Sequence, residues 1–127
     1  MTRAELSQIY YINKEIEMWE RELNEETSLQ SPKVTGMPRG REIGDGTAEA
    51  AVKRLQIRET IDRLLSQLQL KRKEIYEYIA AVDDSMMRQI IMYRCLSLCT
   101  WDEVAKYVGG GNSADSVRMA FNRFVGE

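Results

Sequence analysis

Apolar residues recur along most of this chain at the spacing of a helix face. From residue 2 to 26, Ile9, Ile12, Ile16, Trp19 and Leu23 step by alternating threes and fours, the seam of a coiled coil, and Leu6 and Tyr10 widen the stripe. A second seam, Ile57, Ile61, Leu64, Leu68, Ile75, Tyr78 and Val82, belongs to a helix over 47–81, capped by Asp45 or Thr47. Lys71 interrupts it, as a polar seam residue that sets register. At about 1.5 Å per residue this helix spans roughly 50 Å. Two seams of one kind predict a helical hairpin. The longer second seam leaves surface over for the C-terminal helices or for another chain. Between the seams, residues 27–46 lose all periodicity. Both prolines and half of the eight glycines fall there, which predicts a loop.

Residues 83–127 carry three shorter patterns. Asp83 and Asp84 cap a helix with Met87, Ile90, Ile91 and Leu98 at helical spacing. Thr100 followed three residues later by Glu103 has the form of a capping box. The helix it opens places Trp101, Val104, Ala105 and Val108 on one face. Gly109, Gly110 and Gly111 end it, because glycine supplies left-handed geometry and no helix propensity. Asn112 or Ser113 then caps a last helix with Val117, Ala120, Phe121 and Phe124 turned inward. A short helix, a glycine turn and a second amphipathic helix form a helix-turn-helix signature. The expected fold is therefore all-α: a long coiled-coil-like hairpin over 1–82 and a three-helix helix-turn-helix domain over 83–127.

Composition narrows the chemistry. The chain has 127 residues, no histidine and a formal charge of −2. Without histidine the commonest general base and metal ligand is missing. Cys95 and Cys99 lie four apart on one helix, where a disulfide is geometrically poor, so they read as small buried thiols. Neither the triple glycine, which follows a helix and precedes no Gly-Lys-Ser/Thr, nor the acidic pair at 83–84 makes a catalytic motif. We expect no enzyme, no cofactor and no metal. The N-terminus lacks the apolar centre of a signal peptide and no run reaches spanning length, so the expected location is the cytoplasm, away from the membrane. Charge is uneven: 1–26 carries three positive and seven negative side chains, 27–82 ten and seven, 83–127 five and six. Pairing of the acidic first helix with the basic second follows. In 27–46, Lys33, Arg39 and Arg41 read either as linker charge or as a basic arm that orders on a partner. Arg94 is expected along apolar surface with its head in water or on an acid, and Trp101 as a core or hinge residue.

Residues 100–124 resemble the promoter-reading C-terminal domain of sigma-70-type factors. Glu103, Val104 and Ala105 fall in its acidic first helix; Ser113, Ser116, Val117 and Arg123 fall in its second. Upstream, residues 31–55 resemble a family of short prophage proteins from Gram-positive bacteria, distantly similar to the ArpU and RinA late-gene regulators. The resemblance implies a phage-derived, DNA-binding transcription regulator acting on late genes with RNA polymerase. In a helix-turn-helix the second helix enters the major groove. Its outward face would carry Ala114, Asp115, Arg118, Met119 and Asn122, with Arg118 aimed at guanine and Asn122 at adenine or phosphate. Asn112, Ser113 and Ser116 at the helix start and Arg123 beside it would hold phosphates. Because residues 83–127 are close to neutral, a second anchor is expected, a dimer mate or polymerase. Two other classes fit the pattern: a small terminase subunit, and an adaptor that never touches DNA.

Overall fold

The computed structural model describes the backbone of residues 1–36 and 40–126 and the side chains of 1–25 and 48–126. Among these residues all regular structure is helical. The order is α1 (Arg3–Leu6), α2 (Gln8–Gly36), α3 (Gly40–Ala80), α4 (Ser85–Ile91), a π-helical turn (Met92–Leu96), α5 (Trp101–Val108) and α6 (Ala114–Phe124). No helix among the described residues is long and apolar enough to cross a membrane.

The expected first helix is broken once. Thr2 and Glu5 close a capping box on α1. Ser7 Oγ (2.9 Å) and Gln8 Nε2 (3.4 Å) then take the Ala4 carbonyl, so side chains serve it where the helix steps from α1 to α2. The expected loop over 27–46 is shorter in the structure: α2 continues through Gly36 and α3 begins at Gly40. A helix once nucleated adds residues cheaply, and here that outweighs the scattered breakers. Asp45 and Thr47 are accordingly not the cap of α3. The basic-arm residues Lys33, Arg39 and Arg41 lie outside the residues whose side chains are described.

The chain forms two compact units, Met1–Ile12 with Leu68–Glu127, and Asn13–Gln67. The second unit is thin. Ile16, Ala50, Ile57 and Leu64 are buried on α2 and α3, while Trp19 and Leu23 are half-buried. Lys53 Nζ lies 3.9 Å from Glu22 Oε1, an exposed pair between the basic and acidic helices. Such a pair contributes about 0–1 kcal/mol.

The first unit holds a continuous core. Leu6, Ile9, Ile75, Ile90, Ile91, Val104 and Val117 are fully enclosed, with Met87, Leu96 and Phe121 around them. Tyr10, expected to widen the apolar stripe beside the seam, is 46% exposed. Asp84, not Asp83, caps α4 by accepting from Met86 N at 3.3 Å. In the connection after α3, Arg88 Nη1 donates to the carbonyls of Val82 (2.7 Å) and Asp83 (2.9 Å).

The helix after Asp84 does not run regularly to Leu98. It widens to a π turn, in which Ser97 N donates to Met92 O at 3.0 Å and Cys99 N to Tyr93 O at 2.9 Å. Arg72 Nη1 reaches the Leu96 carbonyl at 3.3 Å. Leu98 follows at φ 59°, a left-handed conformation a side chain rarely adopts.

Candidate nucleic-acid interface

α5 and α6 are set by their ends. Thr100 and Glu103 exchange backbone-to-side-chain hydrogen bonds (Glu103 N to Thr100 Oγ1, 3.2 Å; Thr100 N to Glu103 Oε1, 2.8 Å). Ser113 and Ser116 repeat the device (Ser116 N to Ser113 Oγ, 3.1 Å; Ser113 N to Ser116 Oγ, 2.9 Å), with serine where a glutamate is more usual. Asn112 and Ser113 share the work at this end: Ser113 is the cap, and Asn112 Nδ2 donates to the Gly109 carbonyl at 2.8 Å.

The turn between the helices needs its glycines. Gly109, Gly110 and Gly111 take φ of 73°, 67° and 78° in succession, and Gly109 combines its φ with ψ −151°, a region open essentially to glycine alone. No heavy atom would meet a Cβ at Gly109 or Gly111, so the requirement there is conformational and not spatial.

Inward, Val104 and Val117 are fully buried, Ala105 and Phe121 nearly so, and Trp101 packs against Phe121 with the rings tilted at 55° and their centroids 5.5 Å apart. Phe124, expected inward, is 42% exposed. It sits in the last turn of α6 and leans on Tyr78 at 6.5 Å.

Outward, α6 presents Asp115, Ser116, Met119 and Arg123 to solvent, with Arg118 beside them half-buried. Arg118 Nη2 lies 3.4 Å from Asp115 Oδ1, one turn back. This exposed pair is weak and can open for a better acceptor. Ala114 is half-buried. Asn112, Ser113 and Ser116 already serve the cap, so their polar atoms meet a ligand only after internal bonds are satisfied. Asn122 departs from the expected face: it is half-buried, and its Oδ1 is shielded without a hydrogen-bond partner. A shielded, unpaired amide oxygen costs on the order of 1–3 kcal/mol and is not placed to read a base.

Arg94 departs in part from the sequence expectation, whereas the cysteines follow it. Arg94 lies along apolar surface as expected, but its head bonds a carbonyl and not an acid. Its guanidinium lies over the Trp101 ring, 4.4 Å from the centroid, and Nη1 donates to the Cys99 carbonyl at 2.9 Å. Arg94 lies within the π turn, so helical periodicity could not bring it to Trp101. Cys95 is buried and Cys99 half-buried, both as free thiols. Burial pushes the Cys95 thiol up to about 12, against a smaller lowering by Arg94. Burial and Glu103 raise Cys99 as well. At neutral pH both are therefore in the weakly nucleophilic protonated form.

No family model matches this chain, and neither a curated protein nor a solved structure matches it.

Proposed function

We propose that α5, the glycine turn and α6 act as a helix-turn-helix that reads duplex DNA, in a phage-derived transcription regulator of late genes working with RNA polymerase. In this reading α2 and α3 form the coiled-coil-like hairpin and supply a homodimer contact. The protein acts by binding, without catalysis or cofactor.

The observation that carries the reading is the capped pair of helices around a glycine-only turn. It holds α6 with its apolar side sealed by Val117 and Phe121 and its other side open. Arg118 is the base-reading residue, since a guanidinium suits the two acceptors of guanine. Arg123 and the serines at the start of α6 hold phosphate. Met119, 50% exposed, offers an apolar contact of the kind a thymine methyl accepts. Asn122 drops out of the reading set because its oxygen is shielded.

The test is fluorescence anisotropy against duplexes tiled from neighbouring genes, at several salt concentrations. One duplex is expected to bind well above the rest and to lose roughly tenfold with Arg118→Ala, since a good base contact contributes about 1–3 kcal/mol. A second reading, an adaptor that binds protein only, is favoured by the near-neutral open face and by Asp115 occupying Arg118. Weak binding that is equal for all duplexes and unaltered in Arg118→Ala would establish it over the first. Sedimentation measures the dimer; a strict monomer that ignores polymerase would remove the mechanism.

A further inference from the structure

A cleft of about 470 Å³ opens within the first unit, apart from the outward face of α6. Its volume falls in the range of small-molecule sites. Its lining is aromatic and cationic. Tyr10, Tyr11, Trp101 and Phe121 contribute rings, Arg3 and Arg94 contribute charge, and no carboxylate is among the lining side chains. Tyr10 and Tyr11 stand edge to face at 5.3 Å and are 46% and 61% exposed.

Arg94 is the centre of the argument. A guanidinium drawn out of water is stabilised by acceptors, an acid above all. Among the described residues Arg94 has only a carbonyl and a ring: Cys99 O at 2.9 Å and Trp101 at 4.4 Å. The nearby carboxylate of Glu103 is committed to the Thr100 backbone at 2.8 Å. One guanidinium nitrogen is used, so a planar fork of donors remains, held in place by stacking. The backbone beneath is unusual too. The π turn over Met92–Leu96 is followed, after Ser97, by Leu98 at φ 59°, and Leu98 lines the cleft. π turns and left-handed non-glycine residues both concentrate at functional sites.

We infer that this cleft binds a small organic carboxylate with a flat apolar body. The carboxylate meets the open edge of Arg94, and the body lies among Tyr10, Tyr11 and Phe121. The site stands whether or not α6 reads DNA.

The probe is 1-naphthoate, with the neutral 1-naphthalenemethanol as its control. Binding to the full chain is followed by heteronuclear NMR, using the backbone amides of Leu98 and Thr100 and the indole N–H of Trp101. Trp19, in the other unit, is the internal reference. Naphthoate is expected to shift the Trp101, Leu98 and Thr100 signals saturably, leave Trp19 in place, and bind at least about tenfold more tightly than the alcohol, as charge-assisted hydrogen bonds require. Arg94→Gln should erase that preference. Should that variant fail to fold, Tyr11→Asp places a negative charge at the exposed rim without touching the core, and should weaken naphthoate more than the alcohol. Equal affinity for acid and alcohol, no shift up to about 10 mM, or shifts equal at Trp19 and Trp101 would each overturn the inference.

Discussion

The two units spend their apolar residues in different ways. In Asn13–Gln67, the long helices bury Ile16, Ala50, Ile57 and Leu64 among the described residues, and leave Met18, Val52, Leu55 and Leu65 exposed among the charged side chains. In the first unit, short helices meet around a common core in which seven side chains are fully enclosed. A long helix is held by its own backbone bonds and needs only a seam. Helices of seven to eleven residues such as α4, α5 and α6 are marginal alone and need caps at their ends and neighbours on several sides. The apolar residues therefore serve a narrow seam in one unit and a sealed core in the other.

The chain's two tryptophans allow each unit to be watched separately, because Trp19 lies in one and Trp101 in the other. In urea, single-tryptophan variants should show the Trp19 transition first, since fewer buried contacts mean easier local opening. The largest mutational effect should come from Ile90→Ala, about 4 kcal/mol off the Trp101 transition, against about 2 kcal/mol off the Trp19 transition for Ile57→Ala. Equal losses would break the contrast. Gly109→Ala should cost about 1–3 kcal/mol at the Trp101 probe, because its φ and ψ exclude a side chain. A substitution by alanine at an exposed position within α3, Ser66→Ala, should cost nothing measurable. Ser113→Ala removes a cap and should cost about 1 kcal/mol by the same measurement.

Smaller effects sharpen the picture of the open face and the sealed core. Asp115→Asn frees Arg118 and removes a repelling charge. It should tighten DNA about threefold with little change in stability. Thiol alkylation at pH 8, followed by mass spectrometry, should modify Cys99 before Cys95, whose thiol is buried and pushed up to about 12. The raised folded value has a second consequence. The stabilisation it represents is complete below the unfolded thiol's range and is lost as pH rises toward about 12. Cys95→Ala should therefore flatten the alkaline limb of the stability curve.

Much of this was legible in the residues themselves. Alternating threes and fours mark the buried positions Ile9, Ile12, Ile16, Ile57, Leu64 and Ile75, because one helix face repeats at that interval wherever it packs. Thr100 with Glu103, Ser113, and three consecutive glycines define the ends of α5 and α6, because caps and left-handed turns are local chemistry. The all-helical class and the open side of α6 follow from the same short-range rules.

The tertiary structure alone decided the rest. The π turn inserts extra backbone between Ile91 and Ser97, so the count at 3.6 residues per turn that carries the α4 face on to Leu98 fails there. That is how Arg94 comes to lie on Trp101, how Leu98 enters a left-handed turn, and how a cleft forms that no spacing announces. Tyr10, Asn122 and Phe124 were misplaced for a related reason. Period assigns a face, but the neighbours packed against that face determine how much of it is covered. Local sequence determines where helices begin, end and turn apolar; only packing determines which polar groups are left facing each other without a partner.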